Sequence, residues 1–152
     1  MIRCLNSLSV LALASSVGCG DVDPIDEEVE LELCQRLTSG PSQSIQVASS
    51  TAAAVEANIP GQRIDVELGE AAGKLAFTVG QRGDFVFVFS RGVPVKVRQA
   101  GSNEVRLAEE VVAVSTQCPP DTVRYLFEFG PGRFDFSLGP APGPLSFAHT
   151  RL

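Results

Sequence analysis

The chain has 152 residues, of which 44% are hydrophobic and 20% charged, which is the balance of one folded domain rather than a disordered segment. It contains no run of 18 apolar residues, so the sequence predicts no transmembrane helix. The net charge of −6 comes from residues 21–32, which hold seven acids and no base. Residues 33–152 hold eleven acids and eleven bases, and this balance argues against nucleic acid as a partner.

Residues 1–18, "MIRCLNSLSVLALASSVG", have the pattern of a signal peptide. Arg3 supplies the positive start, and residues 5–17 supply an apolar stretch that is short for a membrane span. The pattern predicts export and removal of this segment, together with Cys4.

The end of this segment, "SSVGC", resembles the lipobox of bacterial lipoproteins, with Gly18 directly before Cys19. The resemblance implies cleavage before Cys19 and acylation of its thiol and amino group. Ser16 departs from the family, which most often has Leu there. The alternative is an ordinary secretory signal, which leaves Cys19 to form a disulfide. Two or three acyl chains anchor a domain durably, so lipidation would place it on a bacterial membrane, on the periplasmic side or at the cell surface.

Residues 19–32 are predicted to be a solvated acidic tether, and residues 33–152 the folded domain. The negative charge of the tether is repelled by anionic lipid. The segment "DVDPID" does not fit a calcium loop, because the alternation of acids fails at Ile25 and no glycine follows.

A short helix is predicted over residues 24–39, where Pro24 suits the first turn and apolar residues recur every four positions. Gly40 and Pro41 end it. The stretch "VELEL" also alternates like a strand, which leaves that alternative open.

If Cys4 is removed and Cys19 acylated, Cys34 and Cys118 remain. In an oxidising compartment a disulfide between them is the natural prediction. A metal pair or free thiols are the alternatives. Neither cysteine has a second Cys or a His at ligand spacing, so the sequence predicts no metal.

From residue 63 onward, apolar and polar residues alternate with period two in short runs divided by Gly and Pro. An earlier stretch, "IQVASS", is predicted to be an edge strand. The pattern predicts an all-β antiparallel sandwich, jelly-roll-like. The run "DFVFVF" is apolar on both faces and should be covered on both sides. The predicted strands are "RIDVEL", "KLAFTV", "DFVFVF", "VPVKVR", "EVRL", "EVVAVS", "VRYLFEF", "RFDFSL" and "LSFAH".

The chain also contains an internal echo. Residues 85, 87 and 89 correspond to residues 134, 136 and 138 at a constant offset of 49, and all are Phe except Leu138. We interpret the echo as two β-hairpins that face each other across a Phe core, with "GQRG" and "GPG" as the hairpin turns.

The Gly turn followed by alternating Phe is similar to the pre-peptidase C-terminal domains of secreted bacterial proteases. The layout also resembles small bacterial envelope lipoproteins, where a His after the first Cys and another before the first strand would imply a metal site. The matching positions here are Gln35-Arg36 and Pro60-Gly61, so the resemblance implies that such a site is lost.

Few residues suggest chemistry. The lone His149 is expected at the surface, and no nucleophile elbow accompanies it. Glu109 and Glu110 would point to opposite faces of a strand. Four bases are expected to be scattered solvated charges, with a small basic patch as the alternative: Arg82, Arg91, Lys96 and Arg98.

These observations predict a lipid-anchored lipoprotein of the cell envelope, with no cofactor and no catalytic residues, that binds a protein or glycan partner or has a structural role. The alternative is a metal- or ligand-handling lipoprotein, or an enzyme, with a site assembled from scattered residues.

Overall fold

The computed structural model describes residues 25–48, 52–57, 60–113 and 118–152. The predicted signal peptide, Cys4 and Cys19 lie outside these residues. The described elements are α1 (Glu27–Ser39), β1 (Ser42–Ile45), β2 (Val55–Glu56), β3 (Arg63–Leu68), β4 (Gly73–Val79), β5 (Gly83–Phe89), β6 (Val95–Gln99), β7 (Val105–Arg106), β8 (Glu110–Ala113), β9 (Val123–Phe129), β10 (Gly132–Leu138) and β11 (Gly143–Arg151).

The strands form two sheets that pack against each other, which confirms the predicted β-sandwich. The six-stranded sheet has the order β1-β3-β11-β5-β9-β8, and the five-stranded sheet has the order β2-β4-β10-β6-β7. Neighbouring strands are antiparallel, except that β1 and β2 run parallel to β3 and β4. An edge strand is present near "IQVASS", but the predicted position is wrong: β1 shares only Ile45 with that stretch, and Ala48 makes a single bridge to Lys74.

Helix α1 forms within the predicted residues 24–39 but begins later, at Glu27, and the strand alternative for "VELEL" is wrong. The side chain of Asp26 caps its start by accepting the Glu28 N–H at 3.0 Å. The spacing of Leu33 and Leu37 puts both on the face that packs against the six-stranded sheet, where they are buried. A strand would have split them from that common face. Among the described residues, no helix is long and apolar enough to cross a membrane.

The predicted tether extends too far into the domain. Ile25 is buried in the cluster under α1, and Arg124 Nη1 donates to Glu30 Oε2 at 2.6 Å. Residues 25–32 therefore belong to the folded domain. The acids of this stretch lie in the first turns of α1, whose apolar face is buried against the sheet. Residues 19–24 of the predicted tether lie outside the described residues.

Strand β5 is covered on both faces, as its sequence predicts. Phe87 and Phe89 lie in the core between the sheets, whereas Val86 and Val88 lie against α1. The core is held by aromatic packing, since Phe87 and Phe136 approach to 5.1 Å between ring centroids. Each buried Phe contributes about 2–3 kcal/mol.

The echo is real, but the two β-hairpins predicted from it are wrong. Strands β4 and β5 belong to different sheets, and so do β9 and β10, so the "GQRG" and "GPG" turns cross the sandwich. Because the turns cross the sandwich, the rings of Phe77 and Phe87 face each other with their centroids 5.3 Å apart. The ring centroids of Phe129 and Phe134 lie 4.5 Å apart in the same way. A hairpin would have placed these rings side by side in one sheet. The arched connections instead place them on opposite sheets, where they pack across the core.

The two copies of the echo, β4–β6 and β9–β11, interleave in the sheets. Strand β10 lies between β4 and β6, and strand β5 lies between β9 and β11. The middle strand of each copy is therefore paired on both sides by the outer strands of the other.

Candidate functional site

The predicted disulfide between Cys34 and Cys118 is present, with a Cα–Cα distance of 5.0 Å and a sequence separation of 84. It joins α1 to the connection between β8 and β9, and Cys118 packs against the cluster under the helix. These two cysteines therefore have a structural role.

His149 is buried, so the expectation that it lies at the surface is wrong. Its exposed fraction is 8%, and its ring stacks on Phe87 at 5.3 Å and meets Phe77 edge-on at 5.2 Å. The reason is its position in β11, where it shares the inward face with Leu145 and Phe147.

The surroundings of His149 keep its imidazole neutral. Burial, together with a smaller effect from the charge of Arg36, lowers its pKa to about 4. Its Nε2 atom finds no hydrogen-bond partner among the described residues. Its ring contacts are aromatic rather than acidic, so the geometry does not build a Ser-His-Asp arrangement around it.

A polar groove of about 660 Å³ lies on the outer face of the six-stranded sheet, over β1, β3 and β11. Here Ser146 Oγ donates to Asp65 Oδ1 at 2.5 Å, and Arg63 Nε approaches the same oxygen to 2.9 Å. Burial raises the pKa of Asp65, but the hydrogen bonds from Ser146 and Arg63 and the charge of Arg63 outweigh it, so the pKa is lowered overall. These contacts link neighbouring strands and give the groove a built polar floor.

The four bases considered in the sequence do not converge. Arg91 donates to backbone oxygens of the loop before β11, including Ala141 O at 2.8 Å, and Arg82 pairs with Glu128. Lys96 and Arg98 lie on β6 and are exposed. This separation agrees with scattered charges. No group of three or more His, Cys, Asp or Glu side chains close enough to hold a metal is found among the residues that the structure describes.

Glu109 and Glu110 diverge, as the sequence predicts. Glu110 pairs with Arg124 at 3.3 Å, and Arg124 also pairs with Glu30 of α1. Arg124 is only 3% exposed, so this ion cluster fastens α1 to β8 and β9 in a buried place. Glu109 lines a separate cleft near β7.

Exposed apolar side chains that the sequence does not predict lie on β7, β8 and the residues between them. Leu107 is 71% exposed and Val111 is 56% exposed, and Val105 lies close by in the sequence. Strand β7 is the last strand of the five-stranded sheet and β8 the last of the six-stranded sheet. We call this side of the sandwich the apolar margin. The exposure was not visible in the sequence, because "EVRLAEEVVAV" alternates like a half-buried strand.

A cleft of about 340 Å³ opens at the apolar margin. Its lining includes the otherwise buried Phe127 and three acids, Glu104, Glu109 and Glu128, together with Arg106. The guanidinium of Arg106 lies 5.9 Å from the centre of the Phe134 ring. The cleft therefore presents mostly polar groups, with acids outnumbering bases in its lining.

Comparison with known protein families finds no match, and comparison with curated proteins finds none. Among solved structures, the chain is similar to the pre-peptidase C-terminal domain of a collagenase from Bacillus anthracis. The similarity has a TM-score of 0.43 at 12% identity and covers 72% of this chain and 97% of that one. That domain type is the one that the alternating Phe strands resemble.

Proposed function

We propose that the chain is a lipid-anchored lipoprotein of the cell envelope that binds a protein partner through its sandwich and carries out no chemistry of its own. The lipobox-like "SSVGC" supports the anchor, with Cys19 as the acylated residue. A Cys34–Cys118 disulfide fits a protein that folds in an oxidising compartment.

The observation that carries the binding role is the apolar margin. The rest of the sandwich covers its Phe residues well, yet Leu107 and Val111, on the same connection from β7 into β8, remain exposed. Clustered exposed apolar side chains mark interaction sites more often than chance contacts. A protein partner fits such a surface better than a glycan, which stacks on Trp or Tyr, and the sequence has no Trp and one Tyr.

The second candidate is the handling of a small polar ligand in the groove over Asp65 and Ser146. Its volume of about 660 Å³ and its hydroxyl, carboxylate and guanidinium groups suit such a ligand. The side chains are already bonded to one another, however, so a ligand would have to compete with those contacts.

Intact mass spectrometry of the membrane-extracted protein tests the anchor. We expect a mass that lacks residues 1–18 and carries added acyl chains, and a Cys19→Ser variant that leaves the membrane fraction. An unacylated, membrane-free wild-type protein with Cys19 in a disulfide would contradict the anchor.

Site-specific photo-crosslinking tests the binding role. A crosslinking residue at position 107 should give an adduct with one protein, identified by peptide sequencing, and the same residue at position 55 should not. Equal adducts at both positions, or none at 107, would contradict it.

A further inference from the structure

Strand β8 has an edge that is free in the part of the chain that the structure describes. On one side, β8 pairs with β9, from Glu110 opposite Leu126 to Ala113 opposite Val123. No described strand pairs with its other side. Alternate backbone N–H and C=O groups of an edge strand point outward and can accept another strand.

The side chains beside this edge suit a strand with apolar residues. Val111 lies opposite Tyr125 and therefore on the inward-facing side of β8, yet it is 56% exposed. Leu107 and Val105 continue the apolar surface towards β7. An added strand would cover these side chains on one of its faces, because successive side chains alternate.

Two acids near the edge are available to a partner. Glu104 and Glu109 line the cleft and carry no ion pair within the described ranges, whereas Glu110 pairs with Arg124 and Glu128 with Arg82. Arg106 is the base in the cleft lining, and its guanidinium faces Phe134. A Lys or Arg side chain could lay its methylene stem against Val105 or Leu107 and bring its charge to Glu104 and Glu109.

We propose that the apolar margin binds an extended segment of a partner protein by β-strand addition to β8, and that this segment alternates apolar residues with Lys or Arg. This inference rests on the proposed function and names the chemistry of the partner. Backbone hydrogen bonds to β8 supply the pairing, Val105, Leu107 and Val111 receive the apolar side chains, and the acids select the basic ones.

The opposite side of the sandwich lacks these features. The side chains at residues 42–44 of β1 are polar and exposed, and Glu56 of β2 is engaged with Thr78 N at 3.1 Å and with Arg133 at 3.4 Å. We call this side the polar margin. Val55 of β2 is exposed there to 37%, which makes it a matched control position.

A peptide-binding experiment tests the inference on the full-length protein, purified as the cell produces it. The probe is acetyl-KVKVKVK-amide, and hydrogen exchange at residues 110–113 is followed as the peptide is added. We expect exchange in β8 to slow about tenfold at saturation and exchange in β1 to stay unchanged. The acidic peptide acetyl-EVEVEVE-amide should bind about tenfold more weakly.

Variants and a third peptide complete the test. Leu107→Lys with Val111→Lys should weaken binding of the basic peptide by about tenfold, and Val55→Lys should leave it unchanged. Acetyl-KVKPKVK-amide should fail to protect β8, because Pro cannot donate to the pairing. Circular dichroism confirms that each variant is folded.

Several outcomes would overturn the inference. Equal binding of the acidic and basic peptides, equal loss in Val55→Lys, or protection by the Pro peptide would show that strand addition at β8 is not the mode. Protection that rises with protein concentration alone would assign the edge to a second copy of the chain. A crosslinked partner at position 107 without basic-peptide binding would refute this inference and leave the proposed function standing.

Discussion

The polar and apolar margins of the sandwich are both made of short strands, but their side chains treat the exposed edge differently. At the polar margin, Arg133 Nη2 donates to Ala54 O at 3.2 Å and Glu56 accepts from the backbone of Thr78, so side chains tie the edge down. At the apolar margin, Leu107 and Val111 project into solvent. Proteins commonly protect edge strands with polar side chains, so an edge left apolar is a candidate binding surface.

Removing the disulfide should have the largest effect on this comparison. The Cys34→Ala/Cys118→Ala variant should lose about 4 kcal/mol of unfolding free energy, because loop closure over a sequence separation of 84 no longer restricts the unfolded chain. Cys118 follows β8 along the chain, so exchange at β8 should increase more than exchange at β1. Urea unfolding and hydrogen exchange measure the two effects. An equal increase in hydrogen exchange at β8 and β1 would contradict the prediction that β8 is affected more.

Acid should act through His149, which lies between the two margins, on the central strand β11 opposite Phe87 of β5. Its pKa of about 4 in the folded protein, against 6.5 in the unfolded chain, means that the unfolded state binds the proton more tightly. This contribution is therefore complete above about pH 6.5 and is lost as the pH falls towards 4, by about 3 kcal/mol in total. Urea unfolding across this range measures it.

The matched variant for this prediction is His149→Phe, which keeps a ring against Phe77 and Phe87. It should show a smaller fall in unfolding free energy between pH 6.5 and 4 than the wild type. The same pH slope in both proteins would show that His149 is not the titrating group.

The Arg124 cluster, near β8, should stabilise the fold more than the Asp65 cluster, near β1. Glu30→Gln leaves the buried Arg124 with less negative charge around it, so we expect a loss of about 2 kcal/mol. Asp65→Asn breaks a more exposed cluster and should cost about 1 kcal/mol or less. Thermal unfolding compares them, with the exposed Glu27→Gln as control. A larger loss for Asp65→Asn would reverse the comparison.

The smallest stability effect should come from the exposed apolar residues themselves. Leu107→Lys and Val55→Lys should each change the unfolding free energy by about 0.5 kcal/mol or less, since neither removes buried contacts. Leu107→Lys should raise solubility more than Val55→Lys, because it interrupts a larger apolar surface. Solubility assays and urea unfolding check both statements. A marked destabilisation by Leu107→Lys would show that its side chain supports the core.

Local patterns in the sequence carry much of the fold. The alternation in "RIDVEL" and "KLAFTV" gives strands β3 and β4, and the four-residue spacing of Leu33 and Leu37 gives the inner face of α1. The alternation that ends in "LSFAH" also holds the evidence for His149, since the ring has the same parity as Phe147. A place in the last strand favours the surface, but the alternation along β11 is the stronger signal.

Other features depend on contacts between distant parts of the chain. Short Gly turns join strands in either a hairpin or an arch, and the choice here depends on which distant strands pair with β4 and β5. The burial of Arg124 depends on a helix 94 residues earlier. The side chains of the apolar margin are exposed because no other described part of the chain packs over them. A local sequence pattern does not show which segments pack over a strand.

The interleaving of the two copies of the echo has a consequence for the order of folding. Strand β5 is completed as a central strand only by β9 and β11, and β3 also pairs with β11. The six-stranded sheet therefore cannot close until nearly the whole chain has been synthesised. Such long-range pairing is slow to form. While the chain is being synthesised, β3 and β5 therefore lack the late strands that complete their sheet.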